Sequence, residues 1–294
     1  MKVKKILTMS LVLLLAVFSL SGCSDNAENK DSKTEPAQEN KIIQIKGSDT
    51  MVYLSQALAE EFMKRYPDTQ LAVKGGGSGI GITALIDGTA DIANSSRKMK
   101  EEEKAEAQTK GINPVEYVIA LDGLAIIAHP DNSVNGLTLA QIKDIYTGKI
   151  NNWKEVGGKD QAIRLISREA NSGTYAYFKE YVLKDEEYGA SAEFLATSKI
   201  IAETVAQDPA AIGYVGEAYA REMVKKIKVA KEPGQQYLEP TEENILKGLY
   251  PISRPLQIYT AGEPTGVIKD FVDFMLSGDG QKIVQEIGYT TINK

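Results

Sequence analysis

Apolar and polar positions along this chain recur at two spacings, and the two alternate. Ile42-Ile43-Gln44-Ile45 reads as a strand, and residues 51–66 read as a helix with Leu54, Leu58 and Phe62 four apart and Pro67 as its stop. Leu71-Ala72-Val73 is the next strand. A glycine run then leads into a short helix over residues 82–86, and Ala90-Asp91-Ile92-Ala93 is a strand ending in the polar loop Asn94-Ser95-Ser96-Arg97. A charged helix follows over residues 101–108. Residues 115–129 are longer and more apolar than any other run outside the N-terminus, which predicts a strand buried on both faces. Beyond it the pattern gives a helix over 139–146, with Thr138 as N-cap and Gly148 as stop, and strands at 163–166, 212–215, 226–229 and 255–259. Further helices are expected from Thr174 to about residue 183 and over 202–206, 267–276 and 280–287. Alternating strands and helices predict an α/β fold. The runs at 115–129 and 255–259 read as two crossings between a first lobe, 41–117 plus 254–294, and a second, 118–253, with a ligand cleft between them.

The N-terminal segment changes where such a fold would work. Lys2, Lys4 and Lys5 precede an apolar stretch from Ile6 to Leu20, which is too short for a stable membrane span, and Leu20-Ser21-Gly22-Cys23 follows. This resembles the lipobox of a bacterial lipoprotein. It implies a signal peptide over 1–22 and lipid on Cys23, placing the protein on the extracytoplasmic face of the cell membrane. Cys23 is the only cysteine, so no disulfide can form within the chain. Residues 23–40 lack large apolar side chains after the cysteine and read as a flexible tether. The formal charge of −6 would fall by three more on loss of the leader lysines, which argues against a nucleic-acid partner.

Three turns between strand and helix patterns carry the candidate chemistry: Gly47-Ser48-Asp49-Thr50, Gly75-Gly76-Gly77-Ser78-Gly79-Ile80-Gly81 and Asn171-Ser172-Gly173-Thr174. A helix start exposes unpaired N–H groups and a partial positive charge. Glycine admits close approach of the backbone, and serine or threonine adds a hydroxyl, so each turn suits an oxyanion. Other readings stay open at this level. The glycine run can be a tight turn, Arg168 a surface charge or an ion pair that closes the lobes, and Asp49 an N-cap. Gly79-Ile80-Gly81-Ile82-Thr83-Ala84 fits a loose dinucleotide pattern, which is weak alone. His129 is the only histidine, so neither a zinc site nor another metal or cofactor is expected. A serine hydrolase built on Ser78 or Ser172 lacks a G-x-S-x-G elbow.

These turns, with Ala90–Arg97 and Ser167-Arg168-Glu169-Ala170 leading into the third of them, resemble in order the phosphate-binding lipoproteins of bacterial phosphate ABC importers. Leu121-Asp122-Gly123-Leu124-Ala125 and the stretches 145–153 and 211–215 extend the resemblance over nearly all of residues 41–294. It implies a two-lobed periplasmic-binding-protein fold and a monomeric solute carrier, not an enzyme, that hands inorganic phosphate to permease subunits. It also implies a ligand shell of Thr50, the Met51 amide, Ser78, Gly79, Ser96, Arg168, Ser172, Gly173 and Thr174, with Arg168 as the single full positive charge. Better-known members carry an aspartate, the acceptor of the phosphate proton, where Ser96 aligns. Asp49 is therefore expected to share in discriminating against sulfate. Another oxyanion, such as sulfate, arsenate or a molybdate-like ion, is the alternative ligand.

Overall fold

Half-buried alternation at Ile43, Ile45 and Gly47 builds the first strand, β1 (Ile43–Gly47), whose inward side chains meet the helix that follows it. The structure, a computed structural model, describes residues 42–292; the leader, Cys23 and the tether lie outside them. A 3-10 turn (Asp49–Met51) leads into α1 (Val52–Arg65), which buries Leu54, Leu58 and Phe62 as the four-residue spacing requires. Then come β2 (Leu71–Lys74), α2 (Ser78–Ile86), β3 (Ile92–Ser95) and α3 (Glu101–Thr109). The long apolar run is one strand, β4 (Val115–Ala128). It is followed by β5 (Gly136–Thr138), α4 (Leu139–Tyr146), β6 (Arg164–Arg168), α5 (Gly173–Tyr181), β7 (Glu193–Leu195), α6 (Ser198–Gln207), β8 (Ala211–Gly216) and β9 (Lys225–Ala230). The described chain ends through α7 (Glu242–Leu246), β10 (Ser253–Thr260), α8 (Gly266–Leu276) and α9 (Gly278–Ile287).

The strands hydrogen-bond in the order β2-β1-β3-β10-β4-β8-β6-β7, with β9 joining β4 to β5. β1 is parallel to β2 and β3, while β10 runs antiparallel to β3 and β4. β4 changes partners along its length: residues 115–123 lie against β10, and Leu124–Ala128 lie against β8, with β9 also taking Ile126–Ala128. A register shift between Leu256 and Gln257 bends the β4·β10 pair in its middle.

Two aromatic centres anchor the core. Phe62 packs edge-on against Phe271 at 5.1 Å between ring centroids, and Phe178 stacks on Tyr214 at 3.9 Å. Truncating a buried Phe of this kind costs about 3–5 kcal/mol, because the cavity only partly collapses. Thr138 caps α4 by accepting from the Gln141 N–H while the Gln141 side chain returns to the Thr138 N–H, the reciprocal pair expected at that N-terminus.

Differences from the sequence reading sit at element ends. α2 begins at Ser78, four residues before the expected start, so the last glycines of the run are helical. β3 extends through Asn94 and Ser95, and α6 starts at Ser198 with Thr197 as its cap. β5 and β7 have three residues each, too few to show an alternation, and α7 has five.

Candidate functional site

The first turn is pinned from both sides. The Ser48 N–H donates to Asn94 O at 2.9 Å, and the Met51 N–H returns to Ser48 O at 3.0 Å. Tyr219 donates its hydroxyl to Asp49 O at 2.7 Å, and Tyr289 donates to Thr50 O. These bonds fix a short turn that could not hold itself. Thr50 and Met51 are buried beneath it.

The second turn is set by Gly77, which precedes α2 at φ +96°, a left-handed backbone that favours glycine. Ser78, the first helical residue, accepts from the Ser96 N–H at 3.1 Å, and its hydroxyl lies 3.4 Å from that of Ser96. Ser48 donates to the Ser96 Oγ at 3.0 Å. Three serines from three segments thus meet at one buried point.

Arg168 ends β6 and leads into the third turn, where Ser172 caps α5 by accepting from the Thr174 and Tyr175 N–H groups. The strand behind is held by Ser167, whose hydroxyl bonds Tyr214 at 2.7 Å, and Tyr214 bonds Tyr188 at 2.8 Å. The third turn touches the other two. Thr174 Oγ1 is 2.9 Å from Thr50 Oγ1, and the Gly79 N–H donates to Asn171 O at 3.0 Å. Gly173 has no room for a side chain: a Cβ there would stand 2.2 Å from Ser78 Oγ and 2.7 Å from Ser96 Oγ. The hydroxyls of Thr50, Ser78, Ser96 and Thr174 and the Gly173 backbone therefore converge.

Arg168 is 1 % exposed. Its Nη1 donates to Ser198 Oγ at 3.0 Å, and its Nη2 donates to Ala196 O and Asp49 Oδ2, both at 2.8 Å. Its Nε is buried with no partner among the described residues. Burial pulls this guanidinium below its ordinary pKa, and Asp49 opposes the shift. Asp49 also accepts from the Gly76 N–H at 3.1 Å, so one carboxylate ties the first turn to the second and to Arg168.

The geometry bears on five of the readings above. Arg168 is not a surface charge; it is buried and ion-paired with Asp49 at 2.8 Å. It is also not the only cation: Arg254 on β10 is 3 % exposed and donates to Thr174 Oγ1 at 3.0 Å. Asp49 does not cap its own helix, because its oxygens are turned toward Gly76 and Arg168. The amides of Met51 and Gly79 are spent on Ser48 O and Asn171 O, which makes them joints of the turns more than donors to a ligand. Gly79 and Gly81 lie inside α2 and form no dinucleotide turn.

The sequence reading does not pair Arg254 with Asp122, although Asp122 interrupts the long apolar run and Arg254 borders the strand expected at 255–259. Two opposite charges stranded in apolar strands must find each other. They face one another across β4 and β10, with Arg254 Nη2 3.0 Å from Asp122 Oδ2. Burial pushes the Asp122 carboxyl up, against the pull of Arg254. His129 is far from this role: its Nδ1 accepts from the Asp131 N–H at 3.1 Å. Among the described residues no cluster of His, Cys, Asp and Glu could hold a metal ion, and no helix is long and apolar enough to cross a membrane.

Residues 30–279 match the family model described as a PBP superfamily domain. The chain is 36% identical over 291 residues to the phosphate-binding protein PstS of Bacillus subtilis strain 168, a match covering 96% of this chain and 93% of that one. It is 33% identical over 260 residues to PstS of Pseudomonas aeruginosa PAO1, covering 83% and 80%. Among solved structures, a Clostridium perfringens protein assigned as a phosphate ABC transporter substrate-binding protein, crystallised with phosphate bound, is 37% identical with a TM-score of 0.79 over 86% of this chain and all of that one. An ABC-type phosphate transport receptor from Vibrio cholerae is 33% identical with a TM-score of 0.69 over 85% of this chain and 99% of that one. With its α/β architecture and its three converging turns, the chain belongs to the periplasmic-binding-protein superfamily and, within it, to the PstS family.

Proposed function

We propose that this protein captures inorganic phosphate outside the cytoplasm and delivers it to the permease of an ABC importer. The observation that carries the reading is the meeting of the Thr50, Ser78, Ser96 and Thr174 hydroxyls with the Gly173 backbone beside buried Arg168. Neutral donors on helix starts suit a tetrahedral oxyanion that must later be released, and the Arg168 Nε–H, without a partner among the described residues, can join them. The names of the relatives supply phosphate as that oxyanion.

The ligand shell proposed is Thr50, Ser78, Ser96, Arg168, Ser172, Gly173 and Thr174, with Asp49 balancing the charge of Arg168. The protein is read as two lobes, 41–117 plus 254–294 and 118–253, joined by β4 and β10. β4 changes partners after Gly123, within the same crossing strand but a few residues beyond the proposed boundary. An anion touching turns from both lobes would favour the closed form, since it gains contacts there that an open form lacks. The protein works as a monomer anchored through lipid on Cys23. It is a carrier and not a hydrolase: the relatives are phosphate-binding proteins, and the only histidine serves a turn and is not bonded to either serine. Calorimetric titration of the purified protein with phosphate, arsenate, sulfate and molybdate tests the reading. Phosphate or arsenate bound well ahead of sulfate is expected, and no heat with phosphate would end it.

A further inference from the structure

The Asp122–Arg254 pair lies directly behind the hydroxyl cluster and is as buried as the core itself, at 0 % and 3 % exposure. Asp122 Oδ2 accepts from Arg254 Nε at 3.2 Å and Nη2 at 3.0 Å, while its Oδ1 accepts from the Glu217 N–H at 3.0 Å. Arg254 also lies over the Tyr177 ring, 5.3 Å from its centroid, and its Nη1 is buried with no partner among the described residues. Buried ion pairs return little stability, because desolvating two charges costs as much as their attraction gains. The pair therefore needs another reason, and its one contact with the proposed shell supplies it: Nη2 donates to Thr174 Oγ1 at 3.0 Å.

We propose that Arg254 is a positioning residue of the anion site, orienting Thr174 as a hydrogen-bond donor. This rests on the phosphate reading above. A threonine hydroxyl has one proton to give and two lone pairs to receive with. A guanidinium, which only donates, takes one lone pair of Thr174 Oγ1, so the hydroxyl proton is directed away from Arg254, toward the cluster where Thr50 Oγ1 lies 2.9 Å away. A hydroxyl that accepts from a cation is also a stronger donor. Asp122 balances the charge, so Arg254 orients the hydroxyl without adding a net positive charge. An anion oxygen facing Thr174 then accepts from it, which favours an unprotonated oxygen there and the P–OH group of phosphate elsewhere in the cluster.

The test is a mutant cycle on phosphate affinity, read by competition with labelled phosphate, with Tm followed in parallel. The variants are Arg254→Gln with Asp122→Asn, which removes both buried charges together, Thr174→Val, and the three changes combined. The paired variant is expected to weaken binding about tenfold, as loss of a charge-assisted bond does. In the Thr174→Val background the same pair should cost less than about threefold, since nothing remains to be positioned. If the paired variant fails to fold, Arg254→Lys, which keeps a charge opposite Asp122 but loses the fork, replaces it and should show the same non-additivity. Losses that multiply, or a lowered Tm with unchanged affinity, would overturn the inference while leaving phosphate binding in place. Failure of the unaltered protein to bind phosphate would overturn both readings together.

Discussion

Gly173 is the position where one added methyl group should separate binding from folding. An alanine there would place its Cβ 2.2 Å from Ser78 Oγ, 2.7 Å from Ser96 Oγ and 2.9 Å from Ser78 Cβ. Favourable contact needs roughly 3.5 Å, so the third turn must back away from the second by more than about 1 Å. Neither serine is the loose end of a long side chain; both are buried and bonded to each other's segments. Retreat of the turn also stretches the 2.9 Å Thr50–Thr174 contact and the 2.8 Å Asp49–Arg168 bond on the adjoining strand end. Overpacking of this size costs about 1–3 kcal/mol. The cost falls on the form in which the turns meet, because Gly173 opens α5 and alanine is at home in a helix. Phosphate affinity should therefore drop by about 5- to 150-fold. Calorimetry on Gly173→Ala and the unaltered protein, with a thermal melt of each without phosphate, reads both quantities. Affinity within about twofold of the original would refute the claim that these turns close on one ligand. A melt lowered by as much as the binding energy would show that the residue serves the fold instead.

Replacing Arg168 by Ala should weaken phosphate binding by about 100-fold or more and lower Tm by several degrees, since Asp49 loses its buried partner; near-native affinity would remove Arg168 from the shell. Asp49→Asn leaves Arg168 without its balancing charge, so sulfate titrations should show a gain relative to phosphate. An unchanged ratio would free Asp49 of any part in discrimination. Glu217, half-buried beside Lys226 and Asp122, has its carboxyl pushed up by desolvation from an ordinary 4.5 to about 7. Between those values the folded protein holds a proton that the unfolded chain has released, so this group lowers stability as pH rises through the window and adds no slope above it. In Glu217→Gln, urea melts at pH 5 and pH 8 should differ less than in the unaltered protein; an equal difference in both would contradict the burial argument.

Much of the frame was legible because long elements repeat a period. The Leu54, Leu58, Phe62 spacing gave α1, and the uninterrupted apolar run gave β4. Three-residue strands such as β7 carry no period and owe their place to neighbours alone. The turns were legible from glycine and hydroxyl residues next to helix starts, but the traffic between them was not. That the Gly79 amide serves Asn171, and that Asp49 answers both Gly76 and Arg168, depends on contacts spanning 92, 27 and 119 residues in the chain, which no local pattern encodes. Arg254 shows the middle case: the sequence displays a stranded charge and its complement, and the fold decides what the pair touches.

Two guanidiniums that each carry their own carboxylate leave this cleft with little net field to project into solvent, while the chain as a whole bears a formal charge of −6. Arrival of an anion is then governed by diffusion against a weak general repulsion, and the attraction begins only within hydrogen-bond range. Added salt, which slows capture by cationic funnels, should leave the association rate here unchanged or raise it slightly. Such a receptor would trade speed of encounter for indifference to the ionic strength of its surroundings, a useful property for a protein that meets whatever medium the cell is in.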